Sequence, residues 1–175
     1  MVQALLRQRQ KPFRSHPSID EWITDFDATN YGKMARWKIL AIVGTSRQGK
    51  TWKGVSIFGQ TNTLKVGCGT CPPGVLPSLA EFDRTLHKAI VFDECRGDQI
   101  LNNRELFQSS VYPQKMSQSL CNQHAYQIWV YMTAMIVCCN ELKMTQEDGL
   151  NESDADWMQA NVTVVQLPSD VVFCA

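Results

Sequence analysis

The chain has 175 residues, 44% of them apolar, which suits one domain with a substantial core and no need of disulfide staples. Lysine plus arginine and aspartate plus glutamate stand at 17 each, so overall charge gives no steering toward nucleic acid or a membrane surface. The longest apolar stretch, residues 128–139, falls short of the roughly 20 residues that cross a bilayer, and the polar, basic start lacks the apolar centre of a secretory signal; a soluble, intracellular protein is expected.

Residues 1–34 read as an extension ahead of the core. Arg7, Arg9, Lys11 and Arg14 form a basic run. Ser18-Ile19-Asp20-Glu21 then has the form of a capping box, and Trp22, Ile23 and Phe26 follow at helical spacing, which predicts a short amphipathic helix. Residues 37–43 predict the first core strand, ending in five apolar residues. Directly after it, Gly44-Thr45-Ser46-Arg47-Gln48-Gly49-Lys50-Thr51 matches the phosphate-loop pattern G-x-x-x-x-G-K-[ST] at every fixed position, in the required setting of a strand entering the loop. Gly44 and Gly49 permit torsions that turn backbone N–H groups of the loop inward around a phosphate. Lys50 brings a positive charge to the outer phosphates, and Thr51 offers a hydroxyl to Mg²⁺ at a helix N-terminus. The expected ligand is a nucleoside triphosphate with Mg²⁺.

A helix starting at Thr51 is weakened by Gly54. Residues 63–67 alternate like a strand and run into a loop that ends at Pro77. Within it, Cys68-Gly69-Thr70-Cys71 has C-x-x-C spacing, but no second pair follows at ligand spacing. Free thiols in a proline-rich turn are therefore expected, in a reducing compartment given the odd total of seven cysteines. Ser78-Leu79-Ala80-Glu81 repeats the capping-box form and predicts a helix to about His87. Residues 89–92 form a short continuously apolar run, the mark of a strand buried on both faces, and it ends in Asp93 and Glu94. Residues 102–108 are weakly helical. Residues 126–131, 135–139 and 162–167 predict three more strands. The acids Glu141, Glu147, Asp148, Glu152, Asp154 and Asp156 lack calcium-loop spacing and read as a solvated surface. Alternating strands and helices predict an α/β domain over residues 35–175 with a mostly parallel sheet.

The strand tips carry chemistry. Asp93 stands where a carboxylate can hold Mg²⁺ opposite the phosphate loop, and Glu94 where a second can take a proton from an attacking water. The apolar residues 135–139 end in Asn140, an amide able to bond a γ-phosphate and that water, or simply to cap the next turn.

In this order, residues 44–51, 91–94 and 137–140 resemble the Walker A, Walker B and motif C segments of superfamily 3 helicases. The likeness is greatest to the replication-initiator (Rep) proteins of circular single-stranded DNA viruses and to related RNA-virus helicases. It spans roughly residues 37–167. The resemblance implies a P-loop NTPase fold with an AAA+-like sheet. It implies ATP hydrolysis by Lys50, Asp93, Glu94 and Asn140, with Mg²⁺ at Thr51 and Asp93, in viral replication in the host nucleus or cytoplasm. It also implies a homo-oligomer such as a hexameric ring. The family places between Walker B and motif C a hairpin that touches single-stranded DNA or RNA. In this chain Tyr112, Lys115 and His124 are the expected contacts, with Gln123 and Tyr126 in the same span, while Trp129 is expected in the core. Two departures stand out. Residues 1–36 are too few for the family's nicking domain and contain only His16 as histidine. No arginine follows Arg104, so the arginine that a neighbouring subunit usually supplies after motif C is missing; Arg96, Arg104 and Lys143 are the available substitutes. A nucleotide-binding assembly protein without turnover is therefore a second reading. A small phosphotransferase is a third, opposed by the scarcity of arginine after the loop and by the Asn140 strand.

Overall fold

The computed structural model describes residues 14–32, 37–117 and 125–173. Helix α1 (Pro17–Gly32) begins one residue ahead of the serine of its capping box. The His16 carbonyl accepts from the Ile19 and Asp20 N–H groups, and Pro17, which has no N–H to leave unpaired, takes the first helical position. Ile19, Trp22 and Phe26 form its buried stripe.

Five strands follow in one parallel sheet: β1 (Ile39–Val43), β2 (Thr63–Gly67), β3 (Ala89–Asp93), β6 (Ala134–Cys139) and β7 (Val162–Gln166). Their order is β2-β3-β6-β1-β7. Every residue of β1 and β6 is buried, as the continuous apolar runs required. The first strand starts at Ile39 rather than Trp37, because the Trp37 indole bonds the Thr133 carbonyl at 3.3 Å and packs edge-on to Phe26.

Helix α2 (Lys50–Phe58) and α1 cover one face of the sheet, where Leu40, Ile42, Val91 and Ile136 meet Val55, Trp22 and Phe26. Gly54, the weak point of α2 in propensity, lies where a Cβ would sit 3.2 Å from Ile136 Cγ2. Its lack of a side chain lets the helix lie close on β6. The opposite face packs Ile90, Phe92, Met135 and Val137 against α3 (Gly97–Asn102), α4 (Arg104–Phe107) and α5 (Glu152–Asn161).

Two expectations fail locally. Residues 78–87 form turns, not a helix. Asp83 turns its carboxylate onto the Thr85 N–H (2.8 Å) and hydroxyl (2.6 Å), and its own N–H is taken by His87 Nδ1, so side chains claim the groups a helix would need. The same bonds hold the Asp83 carboxyl below its ordinary range. The strand expected over 126–131 is β5 (Ala125–Ile128), paired antiparallel with an unexpected β4 (Gln114–Ser117) in a separate two-stranded sheet. The acids Glu141, Glu147, Asp148, Glu152 and Asp156 are exposed, the solvated surface expected, and part of that stretch is α5. Asn151 caps it by accepting from Asp154 N–H at 2.9 Å, its first-turn acids favour the positive end of the helix, and Ala155 and Met158 are buried beneath it. Among the described residues no helix is long and apolar enough to cross a membrane.

Candidate phosphate-binding site

The parallel sheet presents the carboxyl ends of β1, β3 and β6 side by side, with Val43 opposite Cys139 and Asp93 opposite Cys138. The turn of residues 44–49 springs from this edge. Gly44 N–H donates to the Cys139 carbonyl at 3.2 Å, and Arg47 and Gly49 take positive φ values of 68° and 79°. Gly49 leads directly into α2.

Gln48 explains why Gly44 carries no side chain. The Gln48 amide is buried, and its Oε1 lies in contact range of any Cβ built on Gly44. Its Nε2 donates to the carbonyls of Pro168 (2.6 Å) and Val171 (2.8 Å), while Phe173 N–H donates to the Gln48 carbonyl at 2.9 Å. The loop is thereby tied to the chain beyond β7. Gln48→Ala is expected to destabilise the fold by about 1–2 kcal/mol by stripping two part-buried carbonyls of their donor, a loss that denaturant unfolding would read.

Lys50 is turned away from solvent and is 9% exposed. Its Nζ folds back to donate to the carbonyls of Gly44 (2.8 Å) and Thr45 (2.6 Å) and to Asn140 Oδ1 (3.1 Å). Thr45, Ser46 and Arg47 are the exposed part of the turn. Next to Lys50, Thr51 Oγ1 donates to Asp93 Oδ1 at 2.6 Å, and Lys65 Nζ of β2 lies 3.9 Å from Asp93 Oδ2. Glu94 follows with φ 55°, exposed, its carboxylate over Gly69 in a space that a Cβ there would fill. These groups line a cleft of about 270 Å³, with Trp52 at its lip. The oxygen pair of Thr51 and Asp93 suits Mg²⁺, which typically takes only one or two protein ligands besides water and phosphate oxygens. Cys138 and Cys139 close the floor. Burial pushes the Cys139 thiol up to about 11 against the pull of Lys50, and burial with the Asp93 charge raises Cys138 as well, so neither is a ready thiolate.

The other sequence candidates lie elsewhere. Trp37 and Tyr131 precede the amino ends of β1 and β6, and with Tyr112, Lys115 and Arg104 they line a cleft of about 1140 Å³ at the sheet edge opposite the phosphate loop. Tyr112 is 75% exposed and Lys115 projects from β4. His124 and Gln123 fall outside the described residues. Tyr126 is turned inward, its hydroxyl accepting from Leu79 N–H at 2.7 Å. Trp129 is not core: it is 42% exposed, with the Arg84 guanidinium 3.6 Å from its ring centre. The strand stops one residue earlier, and Val130 takes the buried position.

Both arginines near the acids are engaged within the chain. Arg96 donates to the carbonyls of Cys71 and Pro72 at 3.1 Å and pairs with Asp98; Arg104 pairs with Asp154 and lies against Trp157. Of the C-x-x-C pair, Cys68 is buried and Cys71 partly so, both free thiols; among the described residues no group of three or more His, Cys, Asp or Glu could hold a metal. Sequence reasoning passed over Lys65 and Trp52, since an exposed lysine in an alternating strand and an apolar residue in a first helical turn carry no signal of their own.

Compared with protein-family models and with curated proteins, the chain matches none of either.

Proposed function

We propose that the chain is a P-loop ATPase of the superfamily 3 helicase type, with an AAA+-like core over residues 35–175, acting on single-stranded DNA or RNA in replication. The observation that carries this reading is the meeting of three strand tips at one loop: Lys50 touches Asn140, Thr51 touches Asp93, and Glu94 borders the same cleft. Strand β6 lies between β1 and β3, so Asn140 stands between the glycine loop and the acids. Bound MgATP supplies the phosphoryl group for in-line attack by water. Lys50 and the N–H groups of Thr45, Ser46, Arg47, Gln48 and Gly49 bind phosphate oxygens, while the Gly44 N–H stays on the Cys139 carbonyl. Thr51 Oγ1 and Asp93 hold the cation. The Glu94 carboxylate accepts the proton of the attacking water, and the Asn140 amide orients it. A homo-oligomer such as a hexameric ring, in a soluble intracellular setting, accompanies this reading.

The intramolecular engagement of Arg96 and Arg104 favours a second reading, a nucleotide-binding assembly protein of the same fold without turnover. One assay separates the two: ATP hydrolysis by the purified chain, with and without single-stranded DNA or RNA, beside an ATP-binding titration. Hydrolysis stimulated by the single strand supports the ATPase. Binding without hydrolysis supports the second reading, and no ATP binding rejects both.

Tyr112 and Lys115 supply the nucleic-acid contact in this proposal, an exposed ring to stack on a base and an ammonium to neutralise a phosphate. Lys115→Ala is expected to weaken single-strand binding roughly two- to fivefold at low salt and to flatten its salt dependence, with ATP affinity unchanged. Binding at two salt concentrations that is indifferent to this substitution would remove Lys115 from the contact.

A further inference from the structure

Asp93 is approached from two sides. Thr51 donates to Oδ1, and Lys65 faces Oδ2 from the adjacent strand, where Gly67, two residues on, stands opposite Asp93 in register. Lys65 is held in this position by Trp52, whose ring centre lies 5.2 Å from its Nζ. Trp52 follows Thr51 directly, so the phosphate-loop helix itself carries the platform that steers a lysine of β2 toward the acid. Both residues line the candidate cleft. The ion pair is half-exposed, 43% for Lys65 and 30% for Asp93, and such pairs contribute little to stability. Its consequence is local. Lys50, Lys65 and Arg47 bring three positive charges to a cleft with two carboxylates, Asp93 and Glu94.

We propose that Lys65 is a positioning residue that sets the order of loading: its ammonium, held on Trp52, occupies the free face of Asp93 and keeps a divalent cation from binding there ahead of the triphosphate. Two like charges at one carboxylate repel, so a cation arriving alone meets Lys65 and Lys50 without compensation. A cation arriving with a polyanion brings that compensation with it. Lys65 thus makes the site select the metal–triphosphate complex over the bare metal. The inference rests on the reading of Thr51 and Asp93 as the cation site.

Mn²⁺ titration of the nucleotide-free chain, followed by electron paramagnetic resonance, tests it in the parent, Lys65→Met, Lys65→Arg and Asp93→Asn. Lys65→Met is expected to bind Mn²⁺ roughly three- to tenfold more tightly at low ionic strength, with the gain shrinking as salt is added. Lys65→Arg, which keeps the charge, is expected to stay near the parent, an outcome that loss of packing alone would not produce. Equal or weaker binding by Lys65→Met overturns the inference while leaving the cation site standing, provided Asp93→Asn abolishes binding. Binding that survives Asp93→Asn overturns the cation site and the inference together; no binding by any of the four overturns the inference alone, and the same titration repeated with ATP present then reads the cation site.

Discussion

Lys50→Ala is expected to lower MgATP affinity about 100-fold, on the scale of two charge-assisted hydrogen bonds at roughly 1.5 kcal/mol each. The ammonium is already desolvated, held within 3.1 Å by two backbone carbonyls of its own loop and Asn140, and it exchanges these partners for phosphate oxygens on binding. Its removal also takes the donor from a buried carbonyl of Gly44, so a stability loss of about 1–3 kcal/mol accompanies the loss of affinity. Calorimetric titration with MgATP, run beside thermal unfolding, separates the effects. A variant that unfolds normally and binds ATP like the parent would remove Lys50 from the phosphate site.

Glu94→Gln is expected to leave ATP binding within about threefold of the parent and to cut hydrolysis by roughly 100- to 10,000-fold, the usual worth of a positioned general base. The amide has the carboxylate's shape, so the contact over Gly69 and the positive φ at this residue can both be kept. Asp93→Asn should behave differently, losing cation-dependent binding, because Asp93 rather than Glu94 touches the Thr51 hydroxyl. Single-turnover phosphate release reads the first variant directly. Parent-like release would show that another group takes the proton.

The parts of this fold that read clearly from sequence are those in which one physical demand dominates. Strands β1, β3 and β6 are enclosed on both faces, and the bilayered core leaves nearly every position apolar, which makes a run that nothing else in the chain imitates. The glycine loop was legible because backbone torsion and close approach admit few residues. Where demands compete, the reading failed. Ser78 to His87 has capping residues and helical spacing, yet Asp83 and His87 find better partners in a turn. Strand β4 (QKMS) has no alternation beyond its pairing with β5, so only the partner strand defines it. The Lys65–Asp93 contact joins residues on neighbouring strands through register, and no local spacing encodes it.

The bonds from Gln48 to Pro168 and Val171 close sequence separations of 120 and 123 residues, and β7 pairs with β1 across a similar span. Such a topology places the cost of loop closure ahead of its reward and makes folding slow relative to a chain of local contacts. During synthesis the glycine loop emerges before the strand and strap that fix it, which follow after more than a hundred further residues. At ordinary elongation rates that interval is on the order of 10 s. Through it the nascent chain carries the nucleotide signature on an unfinished sheet whose β1 edge is open to other strands. The geometry of the loop is therefore complete only when β7 and the residues after it have docked.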